Sequence, residues 1–185
     1  PYEWLGNVKK YPLHLISNQP KYRLHGQLDN AQYSQNEKIN GKEPVLINPN
    51  DAKKRKINNG DTIKIFNARG ALLAGAKISK DIMPGVIVLS TGAWFDPDYD
   101  LNLEKHGNPN VLTNDIGTSS LGQGPTSHTT LVEIKKIKKS ISQEVQIFKL
   151  PKIIDNNAWR LLFIKYYFIK MKNIIEFENV SKSFG

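Results

Sequence analysis

Pro44-Val-Leu-Ile-Asn-Pro-Asn-Asp-Ala-Lys-Lys-Arg-Lys-Ile-Asn-Asn-Gly-Asp-Thr-Ile-Lys-Ile-Phe-Asn67 is the stretch on which the fold turns. Pro44-Val45-Leu46-Ile47 is a short apolar strand, with its proline at the first position, where no ladder donor is needed. A helix is expected next. Asn48 caps it, Pro49 occupies the first helical position, Asp51 faces the positive end of the dipole, and Asn59-Gly60 stops it. Residues 61–67 then alternate apolar and polar, the pattern of a half-buried strand.

Working outward, Ala68-Arg69-Gly70 turns the chain, and residues 71–78 return antiparallel. Met83-Pro84-Gly85 introduces a buried strand, Val86-Ile87-Val88-Leu89. Upstream, Tyr11-Pro12-Leu13-His14-Leu15-Ile16 is a further strand, and residues 129–134 form the last. The 91–128 stretch is long, rich in Gly, Asn, Asp, Ser and Thr, and poor in branched apolar residues. A loop of that length in a compact domain is functional or disordered, and its polar groups favour function. A strand, a helix after Asn-Pro-Asn-Asp, a Gly-turned strand pair and Pro-Gly-Val-Ile together resemble the double-psi β-barrel. The expected class is mainly β, with one or two short helices and an irregular or partly helical tail.

Two further segments make the resemblance specific. They are Tyr11-Pro-Leu-His-Leu-Ile-Ser-Asn-Gln-Pro-Lys-Tyr-Arg-Leu-His-Gly-Gln-Leu-Asp29 and Asn108-Pro-Asn-Val-Leu-Thr-Asn-Asp-Ile-Gly-Thr-Ser-Ser-Leu-Gly-Gln-Gly124. In this order around a barrel they resemble the C-terminal domain of the molybdopterin oxidoreductases, within the dimethyl sulfoxide, trimethylamine N-oxide and biotin sulfoxide reductase group. The resemblance implies a bis(molybdopterin guanine dinucleotide) molybdenum cofactor held by Ser17, Asn18, Gln19, Arg23, Leu24, His25, Asn110, Asn114, Asp115 and Gln123. It places the molybdenum ligand in another domain, so no residue of this chain is catalytic or metal-ligating. It also implies oxygen-atom transfer from a small S-oxide or N-oxide, the remainder of a reductase chain as partner, and a c-type cytochrome as donor. The compartment implied is the periplasm, with the cytoplasm as the alternative.

These residue types suit such a ligand. Asn and Gln present a donor and an acceptor in one plane, matching a pterin or guanine edge. A carboxylate such as Asp115 can accept two guanine N–H groups, and the Arg23 fork suits a phosphate. Gly117, Gly122 and Gly124 would let backbone N–H groups approach closely. Plainer readings stand beside these. Arg23 taken alone is equally an ion-pair partner, and Asn114-Asp115 could simply start a turn. His14 reads as a satisfied core or edge histidine, Trp94 and Phe95 as packing rather than a funnel lip, and His106 and His128 as structural or solvent-facing. At Gly26 the family pattern commonly has serine, so a hydroxyl is missing there.

Composition narrows the alternatives. The 185 residues contain no cysteine, which excludes a disulfide framework, a thiolate nucleophile and a Cys-based metal site. Four histidines, at 14, 25, 106 and 128, lack the i,i+4 metal spacing. The net charge of +9 points first to a polyanion, yet residues 1–132 carry only +3 and residues 133–185 carry +6. No nucleic-acid partner is therefore expected. A pyruvoyl-dependent decarboxylase, which shares the barrel, self-cleaves at Gly-Ser, and the chain contains no such dipeptide. A non-enzymatic binding module remains as the alternative, although it has no need of the 108–124 segment.

The expected boundary separates a cofactor-binding domain, 1–138, from a Lys-rich tail, 139–185. The apolar run from Trp159 to Lys170 is too short and interrupted for a bilayer span, which needs ~20 residues. Met171-Lys-Asn-Ile-Ile-Glu-Phe-Glu-Asn-Val-Ser-Lys-Ser-Phe-Gly185 resembles the opening of an ABC-transporter ATPase, ending before any phosphate loop. The tail is read as a read-through or fusion product. The opening on Pro1 points to a processed chain or a piece of a longer protein.

Overall fold

The computed structural model describes residues 7–137, which lie in the first of two units, Pro1–Phe148 and Lys149–Gly185. The expectations for residues 139–185, including the ATPase-like end, fall outside the described residues. Eight strands and two short helices run in the order β1 (Leu13–Ile16), α1 (Gln32–Glu37), β2 (Pro44–Ile47), α2 (Pro49–Lys54), β3 (Thr62–Phe66), β4 (Ala71–Ile78), β5 (Val86–Leu89), β6 (Pro97–Asp98), β7 (Leu103–Glu104) and β8 (Thr130–Lys136).

Six strands close a barrel in the order β2-β5-β1-β8-β3-β4, and β4 pairs back onto β2. Two of the pairings, β1 with β5 and β2 with β4, are parallel; the other four are antiparallel. Closure leaves no free edge among these six strands. Alternate residues point inward, as the period of a strand requires. Leu13, Leu15, Val45, Ile47, Ile63, Ile65, Leu72, Ala74, Ala76, Ile87, Leu89, Val132 and Ile134 form one buried cluster. Burial of each large side chain contributes roughly 1.5–3 kcal/mol. β4 is buried on both faces, because Leu73 and Ala71 pack on their outer side against Leu103 of the β6–β7 ribbon.

The helix after β2 is shorter than expected. Asn48 caps it as read, its side-chain oxygen accepting from the Asn50 N–H at 2.9 Å. The helix nonetheless stops at Lys54 rather than at Asn59-Gly60. Lys56 takes a left-handed φ of 56°, and the Ile57 N–H turns back to the Ala52 carbonyl, dropping Ile57 into the core. Asp51 does more than face the dipole: its Oδ2 accepts from the Gly85 N–H at 2.7 Å, tying α2 to the turn before β5. Tyr11 and Pro12 precede β1 instead of belonging to it, and the Tyr11 ring stands edge-on to Phe66 with centroids 6.3 Å apart.

Candidate functional site

Beyond their paired residues, β1 and β5 continue side by side as extended chain. The Thr91 N–H donates to the Asn18 carbonyl at 2.9 Å, the Ser90 hydroxyl to the Asn18 side-chain oxygen at 3.0 Å, and the Thr91 hydroxyl to Gln19 Oε1 at 3.3 Å. Because side chains alternate along extended chain, this ridge divides two clefts. Ser17, Gln19 and Thr91 line one of about 640 Å³, whereas Asn18, Pro20 and Ser90 line another of about 460 Å³.

The larger cleft is completed by His25 and Gly26 on one wall, Gly92 to Phe95 on another, and Asn108 and Asn110 at one end. Backbone contact sets its width. The Trp94 indole N–H donates to the Gly26 carbonyl at 2.7 Å, and a Cβ on Gly92 would overlap the His25 carbonyl. Asn110 is placed by a single 3-10 turn, Pro109–Val111, in which Asn108 Oδ1 accepts the Asn110 N–H at 3.0 Å. That turn is anchored to the β3–β4 hairpin, since Asn67 Nδ2 and Arg69 Nε donate to the Leu112 carbonyl at 2.8 and 2.7 Å.

Behind the 108–110 end, Glu104 accepts the backbone N–H groups of Gly107 at 2.7 Å, Asn108 and His106 at 2.8 Å, and Asp96 at 3.3 Å. Burial pushes its carboxyl up from the ordinary range, and the four N–H donors oppose that rise.

The cleft is chemically suited to a polar planar group. Its lining is mostly amide, hydroxyl and bare backbone, and the Ser17 Oγ is buried there with no hydrogen-bond partner in the fold. An orphaned buried hydroxyl costs free energy unless a ligand or water satisfies it. Among the described residues no group of three or more His, Asp or Glu side chains could hold a metal ion.

The family described as "Molydopterin dinucleotide binding domain" matches residues 13–131. The chain belongs to this family. It is 52% identical over 139 residues to trimethylamine-N-oxide reductase 1 of Escherichia coli K12, covering 73% of this chain and 16% of that one. It is 47% identical over 148 residues to biotin sulfoxide reductase of Cereibacter sphaeroides, covering 80% of this chain and 20% of the relative. The dimethyl sulfoxide/trimethylamine N-oxide reductase of the same organism is 42% identical over 156 residues. The chain thus spans about a sixth to a fifth of the curated relatives it matches. Among solved structures, acetylene hydratase from Pelobacter acetylenicus shares the fold at TM-score 0.58 and 16% identity, over 70% of this chain and 19% of that one. The cofactor read from the sequence, a molybdopterin guanine dinucleotide carrying molybdenum, agrees with this family.

Of the residues singled out in sequence, this molybdopterin dinucleotide-binding domain brings Ser17, Gln19, His25 and Asn110 together in the larger cleft. Asn18 and Arg23 line the other one, and Leu24, 56% exposed, lines neither. Arg23, read in sequence either as a phosphate fork or as an ion-pair partner, makes the contacts of an ion-pair partner here. It is buried, its Nη2 donating to Glu43 at 2.9 Å and to the Thr91 carbonyl at 3.0 Å. Asn114, Asp115 and Gln123 sit on a loop outside the cleft lining. Gly117 bridges Pro125, the Thr118 N–H meets the Gly124 carbonyl at 2.8 Å, and the Thr126 hydroxyl meets the Ile116 carbonyl at 2.9 Å. Gly117, Gly122 and Gly124 make room for Gln123, Ser119 and Thr118 of this loop rather than for the cleft.

Trp94 and Phe95 depart from the packing expectation: they are 42% and 54% exposed, and both line the larger cleft. His14 is half-buried, its Nε2 donating to the His128 carbonyl, while His128 is exposed and His106 fully buried. Asp29, Lys38 and Glu43 went unread in the sequence. Each has a buried charged side chain, but no spacing joins them.

Proposed function

We propose that this domain, residues 1–138, is the cofactor-binding C-terminal portion of a molybdenum oxidoreductase that reduces S-oxides or N-oxides. Trimethylamine N-oxide, dimethyl sulfoxide, methionine sulfoxide and biotin sulfoxide are its substrate class. The observation that carries the reading is the amide-lined cleft with its orphaned Ser17 hydroxyl, in a chain about half identical to reductases of such oxides. When bound, the bis(molybdopterin guanine dinucleotide) cofactor supplies the oxygen-atom and two-electron chemistry. The chain's own residues bind and orient it. Ser17, Gln19 and Asn110 offer hydroxyl and amide partners to a ring edge, and His25 offers an imidazole from the opposite wall. Asn18 lies across the ridge, and the 114–123 loop, with Asn114, Asp115 and Gln123, serves the distal guanine.

The partners proposed are the remainder of the reductase chain and a c-type cytochrome donor, in the periplasm. Among the described residues no helix is long and apolar enough to cross a membrane. The test is to express the complete reductase and measure molybdenum and the GMP released from its cofactor. Gln19→Ala and Asn110→Ala truncate side chains at exposed positions, so loss of molybdenum and GMP without loss of folding is the expected result. Full cofactor in both variants refutes the cleft assignment, and full cofactor in Asp115→Ala refutes the distal one.

A further inference from the structure

The two segments that carry the walls of the larger cleft, residues 23–28 and 91–95, contain no helix or strand of their own. What fixes them lies behind the cleft. Five ionisable side chains, Arg23, Asp29, Lys38, Glu43 and His106, meet there with side-chain exposure of 3% or less. They come from the Arg23–Asp29 segment, the end of α1, the start of β2 and the turn after β7.

Lys38 Nζ donates to Asp29 Oδ1 at 2.7 Å and to Glu43 Oε2 at 2.9 Å, and His106 Nε2, 3.0 Å from Lys38 Nζ, donates to Asp29 Oδ2 at 3.0 Å. Arg23 adds the second cation, with Nε 3.4 Å from Asp29 and Nη2 2.9 Å from Glu43. Burial pushes the His106 imidazole down, and Asp29 only partly offsets this. With a neutral histidine, the two cations balance the two carboxylates, and no charge is left buried alone. Burial works against ionisation of Asp29, but hydrogen bonds from His106 and Lys38, the Lys38 charge and the Trp94 N–H together hold it well below the ordinary carboxylate range.

Two contacts of the cluster reach the 91–95 wall. Asp29 Oδ2 accepts the Trp94 backbone N–H at 3.1 Å, and Arg23 Nη2 donates to the Thr91 carbonyl at 3.0 Å. The opposite wall is joined by chain continuity from Arg23 to His25 and by the Trp94 indole bond to Gly26. A buried ion cluster is weak evidence for stability, since apolar replacements of similar volume often do as well. Its directional contacts to cleft-wall backbone are what an apolar replacement would lack.

We propose that Asp29 is a positioning residue for the cofactor cleft, setting the gap between the 23–28 and 91–95 walls through the Trp94 N–H and, with Arg23, through the Thr91 carbonyl. The proposal rests on the cofactor reading above. It is tested on the complete reductase by hydrogen exchange read peptide by peptide, with molybdenum and released GMP measured on the same samples. In Asp29→Asn the 91–96 peptide exchanges about tenfold faster, the effect of one lost charge-assisted hydrogen bond. The peptide spanning β3 and β4 keeps its wild-type rate, and cofactor content falls. Wild-type protection at 91–96 overturns the proposal, as does faster exchange in both peptides alike, which is general loosening. Faster exchange at 91–96 with full cofactor also overturns it while leaving the cofactor reading intact. Wild-type enzyme lacking molybdenum and GMP fails that reading instead. Should Asp29→Asn not fold, Arg23→Lys keeps the charge but cannot reach both Glu43 and Thr91. Faster exchange at 91–96 in that variant supports the proposal, and wild-type exchange overturns it.

Discussion

Replacing Gly92 by alanine measures how far the cleft is shaped by backbone contact. Gly92 has φ +90°, a left-handed region that costs an L-residue roughly 1–2 kcal/mol. A Cβ there also overlaps the carbonyl carbon and oxygen of His25, which are backbone and cannot swing aside. Forcing extra volume into such a contact costs about 1–3 kcal/mol. Relief by shifting residues 91–94 stretches the Thr91-to-Asn18 and Trp94-to-Asp29 hydrogen bonds, now 2.9 and 3.1 Å, at about 1 kcal/mol each. Strain together with either the overlap or its relief thus costs about 2–5 kcal/mol, a large fraction of the roughly 5–15 kcal/mol typical of a domain. Gly85 provides the control: its φ is +83° and nothing lies within 4 Å of its Cβ position, so Gly85→Ala carries the strain alone. In urea denaturation with unchanged m-value, Gly92→Ala should lose at least about 1 kcal/mol more than Gly85→Ala. In the complete reductase only Gly92→Ala should lose molybdenum and GMP. Equal stability losses for the two alanines would refute the reasoning.

Gly26→Ser should be accepted. A Cβ there meets Trp94 at 3.5 Å and the Gly92 carbonyl at 3.6 Å, ordinary contacts, so the urea midpoint should move by no more than about 0.5 kcal/mol equivalent. A loss above about 2 kcal/mol would show the walls to be packed more tightly than this. Asn48→Ala removes the α2 cap and the side-chain bond to the Ile82 carbonyl, and should cost about 1–2 kcal/mol by the same assay. Asp29 gives an acid dependence of definite sign. Its folded-state value lies below the ordinary 3.8, so its contribution is complete above that pH and is lost as pH falls below it. Wild type should therefore lose more stability between about pH 5 and pH 2 than Asp29→Asn, and parallel curves would contradict this.

The barrel was legible because its strands obey local rules. Pro44–Ile47, Ala71–Ile78 and Val86–Leu89 begin and end where proline, glycine and the apolar run place them. α2 was misjudged at its end because Asn59-Gly60 is a strong stop, whereas the actual stop is tertiary: Ile57 is drawn into the barrel and Lys56 takes the left-handed turn. The exposure of Trp94 and Phe95 was illegible for a related reason. Aromatic residues after a buried strand pack only where a neighbouring element covers them, and here they face a cleft.

The candidate cleft takes in only some of the residues singled out in sequence, and the division has a geometric cause. Ser17-Asn18-Gln19 reads as one polar block in a motif, but extended backbone sends successive side chains to opposite faces. Ser17 and Gln19 therefore share a cleft that Asn18 cannot enter, and Thr91 and Ser90 repeat the division on the neighbouring chain. Arg23 shows the complementary case. Sequence left a phosphate fork and an ion-pair partner equally open, because its partners Asp29, Glu43 and Thr91 are brought to it by three different elements. A motif marks where the chain approaches a ligand. Which of its members touch that ligand, and which hold the others in place, is decided by side-chain alternation and by residues the motif does not contain.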